Sequence, residues 1–158
     1  MKNAFIGILI LVFVVLGGVY LFGNKYINVE EKTTGEKLSM DIYKTPSCGC
    51  CDIYSKYMSN KGVAVNEINL DHLEDIKGEY SIPHELMACH TSVIDGYAVE
   101  GHIPLDAIEK LLSEKPDIKG IALAGMPSGT PGMPGPKMEE WVIYYINTDG
   151  STSEFLRM

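Results

Sequence analysis

The chain has 158 residues, of which 13 are basic and 21 acidic, so its formal net charge is −8. All the acidic residues lie beyond residue 23, together with all but one of the basic ones. We therefore expect no basic patch that could neutralise phosphates, and no nucleic-acid partner. The part beyond residue 23 is long enough for one compact domain with a core and too short for two.

The first predicted segment comprises residues 1–23, which differ in kind from the rest. Residues 4–22 carry no charge and would form a helix about 28 Å long, close to the thickness of the hydrocarbon core of a bilayer. We predict an uncleaved membrane anchor at 1–23 and a polar tether at 24–39. A signal peptide cleaved near Gly17-Gly18 is the alternative. Both predict export: a domain tethered to the outer face of the cytoplasmic membrane, or a secreted or periplasmic one.

The domain predicted over residues 40–158 begins with the order β-α-β-α. Alternating polarity indicates the strands, and apolar pairs at helical spacing indicate the helices. The predicted strands are 40–43 and 63–68, and the predicted helices are 52–60 and 71–78. A turn at residues 45–47 leads from the first strand to the first helix.

The second half of the domain is predicted as β-β-α, followed by a loop and a β-hairpin. Asp95-Gly96 is a strong signal for a two-residue turn between short strands, and Pro104 opens an amphipathic helix. Residues 120–136 are rich in Gly, Pro and Met and predict an irregular loop. The C-terminal hairpin is predicted from strands at 141–146 and 152–156. The whole order, β-α-β-α-β-β-α, looks like the thioredoxin fold, a topological comparison that fixes no function.

The four cysteines of the chain form its most informative pattern. Cys48, Cys50 and Cys51 lie within four residues at the predicted strand–helix junction, and Cys89 is followed directly by His90. The N-terminus of a helix favours thiolate over thiol, which suits a metal ligand and a redox-active cysteine equally well. Clustered thiolates select Cu(I), Zn(II) or an iron–sulfur cluster.

The number and spacing of the sulfurs favour copper binding over the alternatives. An oxidoreductase of thioredoxin type needs only one C-x-x-C pair, here Cys48 and Cys51, and a proline before its third strand, whereas residues 87–91 contain none. The spacing does not suit a structural zinc site, and adjacent Cys50 and Cys51 can more readily serve different ions. We therefore favour Cu(I), as one ion or several, over zinc. Two disulfides are a further alternative for an exported protein.

Several motifs together resemble the CopG-like family of exported metal-binding proteins. They are Tyr43-Lys44-Thr45-Pro46-Ser47-Cys48-Gly49-Cys50-Cys51, Cys89-His90-Thr91, Asp95-Gly96-Tyr97, Glu100-Gly101-His102-Ile103-Pro104 and the loop from Gly125 to Met133. The resemblance covers residues 40–133. It implies a thioredoxin-like domain, export and an association with copper resistance, and it implies that Cys48, Cys50, Cys51 and Cys89 are copper ligands.

His90 and Met126 complete the predicted ligand set. The imidazole of His90, next to Cys89, can serve the metal or hydrogen-bond to nearby backbone. The thioether of Met126 lies in the Gly/Pro loop with that of Met133, where it can cap a copper site or anchor the loop to the core. His102 is expected to cap a strand end or to be exposed rather than to bind metal.

These observations predict a membrane-tethered protein that sequesters or transfers Cu(I) in copper resistance. Its predicted partners are copper ions, the membrane through the N-terminal helix, and a copper exporter or chaperone. The alternative is a thiol–disulfide oxidoreductase or copper reductase that uses Cys48 and Cys51, so the sequence leaves catalysis open.

Overall fold

Seven strands form one mixed sheet in the computed structural model, which describes residues 37–158. The strands are β1 (Ser39–Lys44), β2 (Ala64–Asn69), β3 (His90–Ile94), β4 (Tyr97–Glu100), β5 (Ile118–Ala122), β6 (Val142–Asn147) and β7 (Thr152–Arg157). The helices are α1 (Gly49–Asn60), α2 (Glu74–Glu79) and α3 (Leu105–Glu114), and a 3-10 turn spans His84–Leu86. The predicted anchor at 1–23 and the tether through residue 36 lie outside the described residues. Within residues 37–158, no helix is both long and apolar enough to cross a bilayer.

The strands lie side by side in the order β2-β1-β3-β4-β5-β6-β7. β1 pairs parallel with β2, and β4 pairs parallel with β5, whereas all the other pairs are antiparallel. Parallel neighbours need a crossover connection, which α1 supplies in the first half and α3 in the second. The predicted α/β class is confirmed, and the elements through α3 occur in the predicted order. The predicted C-terminal hairpin is the β6–β7 pair.

β5 is a strand that the sequence analysis assigned in part to a loop. The loop prediction for residues 120–136 is wrong at its start, because Gly120, Ile121 and Ala122 are buried strand residues paired with β4. A side chain at Gly120 would place its Cβ only 2.1 Å from the carbonyl oxygen of Ala98. The glycine that indicates a break in the sequence is therefore required by close backbone approach inside the sheet.

The core joins α1 and α3 to the sheet. Tyr54 and Met58 of α1 are four residues apart, Ile108 and Leu111 of α3 are three apart, and all four are fully buried in one apolar cluster, as expected of amphipathic helices. The Tyr54 hydroxyl donates a hydrogen bond of 2.9 Å to the backbone carbonyl of Ile103. This bond ties α1 to the segment between β4 and α3.

Candidate metal centre

The cysteine turn lies where β1 ends and α1 begins. Cys48 is the N-cap residue of α1, and Cys50 and Cys51 lie in its first turn. No side chain caps this end of α1, so its free N–H groups favour negative charge, including that of a thiolate. The turn is held to the sheet by Lys44, the last residue of β1, whose Nζ lies 2.7 Å from Oδ1 of Asp52.

The four cysteine sulfurs converge, with every pair of Sγ atoms within 4.8 Å. Sγ of Cys50 lies 3.6 Å from Sγ of both Cys48 and Cys89, and Sγ of Cys51 also lies 3.6 Å from that of Cys89. Two sulfurs bound to one tetrahedral ion at about 2.3 Å would be separated by about 3.8 Å. The observed spacing therefore suits sulfurs that share or bridge metal ions. The predicted convergence of Cys89 on the cysteine turn is present.

Cys48 and Cys51 are joined by a disulfide, while Cys50 and Cys89 are free thiols. The alternative with two disulfides is therefore not what the structure contains. A disulfide sulfur is not a thiolate, so all four cysteines can bind metal only after this bond has accepted two electrons. The same bond is the oxidised form of a C-x-x-C redox pair.

Cys89 lies between the cysteine turn and two imidazoles. Its Sγ is 3.4 Å from Nε2 of His102 and 3.5 Å from Nδ1 of His90. Burial, with a smaller contribution from the neighbouring Cys50 thiol, raises the pKa of Cys89 to about 12. Burial also lowers the pKa of His90 to about 3 and that of His102 below its ordinary value. The metal-free site therefore holds a protonated thiol beside two neutral imidazoles.

His102 is a site residue that the sequence analysis missed. His102 was expected to cap a strand end or to be exposed, and exposure is wrong, because the residue is fully buried. Its Nδ1 lies 2.6 Å from the carbonyl oxygen of Pro131, and since a carbonyl only accepts, Nδ1 carries the proton. Nε2 therefore presents its lone pair toward Cys89, which is the usual orientation of a metal-binding histidine. The pairing of Thr91 with Glu100 in adjacent strands brings these residues together, and no local sequence signal contains that information.

His90 occupies the predicted place beside Cys89. It is fully buried, its ring centroid lies 4.7 Å from that of Tyr54, and its Nε2 has no hydrogen-bond partner among residues 37–158. An unpaired buried nitrogen costs about 1–3 kcal/mol. His90 is thus a second neutral imidazole at the site, with Nδ1 beside the sulfur of Cys89 and the bonding capacity of Nε2 unused.

The loop between β5 and β6 packs against the centre through Gly132. A Cβ at Gly132 would lie 3.0 Å from the carbonyl oxygen of Cys50 and 3.1 Å from Nδ1 of His102. Met126 in the same loop has a φ of 49° and is 36% exposed. Its role as a ligand stays a prediction, whereas the backbone of Pro131 and Gly132 contacts the site directly.

Two solved structures match this chain, both described as copper resistance protein copG. Form 2 has a TM-score of 0.72 and form 1 a TM-score of 0.71, each with 33% sequence identity over 78% of this chain. The match covers 99% of the form 2 chain and 98% of the form 1 chain. The chain belongs to the CopG family.

A family model also matches part of the chain. A family model described as a protein of unknown function, DUF411, matches residues 86–133. That range contains Cys89, His90, His102 and the loop through Gly132, so it includes half of the CopG centre but not the cysteine turn. A search of curated proteins found no match.

Proposed function

We propose that this protein binds Cu(I) through the reduced sulfurs of its four cysteines and sequesters or transfers it in copper resistance. The observation that carries the proposal is the convergence of four sulfurs within 4.8 Å of one another, in a chain similar to copper resistance proteins at 33% identity. The ligands are Cys48, Cys50, Cys51 and Cys89. His102 and His90 offer nitrogen beside Cys89, with Met126 as a further thioether.

The proposal favours Cu(I) over zinc for reasons of ligand chemistry. Soft thiolates select Cu(I), and a structural zinc site encloses one ion with four ligands at tetrahedral angles. Cys50 and Cys51 are neighbours in the first turn of α1, so their side chains leave the helix in different directions. Each can then serve a different ion, with Cys89 in contact with both sulfurs.

The location of the protein is part of the same proposal. We propose that residues 1–23 anchor the chain and that the domain works outside the cytoplasmic membrane, where a copper exporter or chaperone would exchange the ion. The support is the uncharged run of residues 4–22 and the disulfide, since disulfides persist in exported proteins. A thioredoxin-like assignment is supported by the β-α-β and β-β-α halves that meet at the β1–β3 pair.

A copper titration tests the proposal. The full chain is purified in detergent, reduced and free of oxygen, and Cu(I) is titrated in competition with a chromophoric chelator. We expect at least one ion per chain to be withdrawn from the chelator. Failure of the reduced chain to compete at all would refute copper binding.

A second function is favoured by the disulfide between Cys48 and Cys51. In this alternative the reduced pair gives two electrons to two Cu(II) ions, forming the disulfide, two Cu(I) ions and two protons, or it reduces a disulfide of another protein. Serine variants distinguish the two functions. If the protein binds copper through all four cysteines, each of the four Cys→Ser substitutions weakens copper binding. In an enzyme, Cys48→Ser abolishes turnover, whereas Cys50→Ser and Cys89→Ser are mild.

A further inference from the structure

A buried charged cluster hydrogen-bonds to the residues on both sides of Cys89 and His90, namely to the backbone N–H of Ala88 and the hydroxyl of Thr91. Lys77 of α2 and Glu100 at the end of β4 form an ion pair, and both are buried, together with Thr91. Neither charged residue contacts a cysteine sulfur through a hydrogen bond. The proposed copper chemistry therefore makes no direct use of them.

The carboxylate of Glu100 bonds to the residues on each side of the Cys89-His90 pair. Its Oε1 accepts from the backbone N–H of Ala88 at 2.6 Å, and its Oε2 accepts from the hydroxyl of Thr91 at 2.6 Å. The ammonium of Lys77 donates to Oε1 and, at 3.0 Å, to Oγ1 of Thr91. One side chain thus fixes both ends of the two-residue segment that carries the thiol and the imidazole.

Stability alone does not account for this arrangement. A buried ion pair pays a large desolvation cost, and apolar side chains of similar volume often serve a core equally well. What apolar side chains cannot supply is a pair of acceptors for the backbone N–H of Ala88 and the hydroxyl of Thr91, the two groups that flank Cys89 and His90. Because Sγ of Cys89 touches both Cys50 and Cys51 at 3.6 Å, a small shift of this segment would take it out of bonding reach of an ion held by the other sulfurs.

We propose that Glu100, neutralised by Lys77, is a positioning residue that holds the sulfur of Cys89 in place for copper. This inference rests on the proposed function, since it concerns the same centre. The carboxylate acts through its hydrogen bonds to Ala88 and Thr91. The ammonium of Lys77 offsets the free-energy cost of burying the carboxylate charge. The alternative is that the pair merely fills the core and affects copper only as far as it affects folding.

Paired variants separate these two roles. Lys77→Met with Glu100→Gln removes both charges at once, so no lone buried charge remains, and the amide can still accept from Ala88 and donate to Thr91. Lys77→Met with Glu100→Leu also removes the hydrogen bonds. We call these two double variants the glutamine pair and the leucine pair. Thr91→Val removes the hydrogen bond from the Thr91 hydroxyl to Glu100 with little change in side-chain volume. It replaces the leucine pair in the test if that pair does not fold. Leu111→Ala, in the core of α3, is the control for a general loss of stability.

The first measurement is Cu(I) affinity by chelator competition, made with Cys89 present and in a Cys89→Ala background. We expect the leucine pair to weaken binding at least tenfold and Thr91→Val about threefold when Cys89 is present, and less than twofold when it is absent. The glutamine pair should restore affinity to within threefold of the unmodified chain. Equal losses in both backgrounds, or a loss as large in Leu111→Ala, would overturn the proposal, because such a cycle isolates coupling between the sites.

The second measurement needs no copper. With Cys48→Ser and Cys51→Ser, the remaining dithiol reacts with oxidised glutathione to give the Cys50–Cys89 disulfide and two reduced glutathiones. The equilibrium constant reports the effective concentration of one sulfur at the other. We expect it to fall at least tenfold in the leucine pair and to recover in the glutamine pair. An unchanged constant would refute the positioning role even if the chain binds copper. A constant that falls in a chain that binds no copper would refute the proposed function and leave the positioning of Cys89 by Glu100 standing.

Discussion

Cys89 differs from the other three sulfurs in its surroundings. It comes from the segment before β3 rather than from the cysteine turn, and it is the cysteine that contacts both imidazoles. Its raised pKa means that copper must displace a proton from a buried thiol, at a cost that strong metal–sulfur bonding has to offset. The neutral Nε2 of His102 lies close enough to accept that proton or to bind the ion itself.

Two substitutions at His102 decide which atom of the ring matters. Asparagine can reproduce the Nδ1 donor that bonds to Pro131 but has no atom at the position of Nε2, whereas alanine removes both. If Nε2 binds copper, we expect His102→Asn to weaken Cu(I) binding about tenfold, although the loop stays in place. The measurement is chelator competition, with the exposed His84→Asn as the matched control. Affinity that falls only in His102→Ala would show that the histidine serves the loop and not the metal.

His90 gives the metal-free protein a defined pH dependence. Its pKa of about 3 in the folded protein lies below its ordinary value of 6.5, so the unfolded chain binds a proton that the folded chain does not. Stability from this group is therefore complete above pH 6.5 and is lost toward pH 3, by roughly 1 kcal/mol for each pH unit. The free energy of unfolding, measured in urea, should fall between pH 7 and pH 5. We expect this fall to be smaller by roughly 2 kcal/mol in His90→Gln than in the unmodified chain.

The exposed His72 supplies the comparison for that experiment. Its imidazole lies on the surface of the described domain, so His72→Gln controls for a His→Gln substitution made outside the core. An equal drop in the unmodified chain and in His90→Gln would mean that His90 takes up its proton in the folded state as well. The buried nitrogen would then have a partner such as water.

At the level of elements, four segments meet at the centre: the start of α1, the segment before β3, the segment between β4 and α3 that carries His102, and the loop between β5 and β6. The loop contacts α1 and the His102 ring through Gly132, whose φ is 87°. A side chain there would meet backbone atoms of Cys50 and Tyr54 at 3.0 Å. Backbone cannot yield as the end of a flexible side chain can, so the loop would have to move away from the sulfurs.

Gly132→Ala tests whether the loop closes the copper centre. We expect a loss of stability of about 1–3 kcal/mol from the strained backbone and the contact together, and faster release of Cu(I) to a competing chelator. Gly62→Ala is a matched control, because Gly62 has a φ of 95° with no atom within 4 Å of an added Cβ. It carries the backbone strain without the contact. Equal copper release in the two variants would show that the loop does not retain the ion.

The centre could be predicted from the sequence only where its signals are local. The cysteine turn could be predicted because its three thiols lie at a strand–helix junction. Cys89 could be predicted because it is the one other cysteine of the chain. His102 gave no such signal, since its place depends on the register of β3 against β4. β5 was not predicted as a strand for a related reason. Judged from the sequence alone, Gly120 indicates a break, but the strand requires a glycine there because the backbone of Ala98 lies against it.

For the molecule as a whole, the disulfide makes copper capacity depend on the redox environment. With Cys48 and Cys51 joined, only the thiols of Cys50 and Cys89 remain to bind the ion. The proposed export would place the domain under oxidising conditions that preserve such a bond. Loading with copper then requires prior reduction of the disulfide. Alternatively, Cu(II) is reduced first, and the resulting Cu(I) binds to a site that is already in the dithiol form.

We expect the oxidised chain to bind Cu(I) at least tenfold more weakly than the reduced chain, because two of four thiolate ligands are missing. Iodoacetamide, applied to samples unfolded in denaturant at alkaline pH, should label two cysteines in the oxidised form and four in the reduced form. This count fixes the state of each sample before chelator competition. The variant with Cys48→Ser and Cys51→Ser should bind as weakly as the oxidised chain when its Cys50 and Cys89 are kept as two thiols. Equal affinity of the oxidised and reduced chains would mean that the cysteine turn contributes through Cys50 alone, and that Cys89 and the imidazoles hold the metal with it.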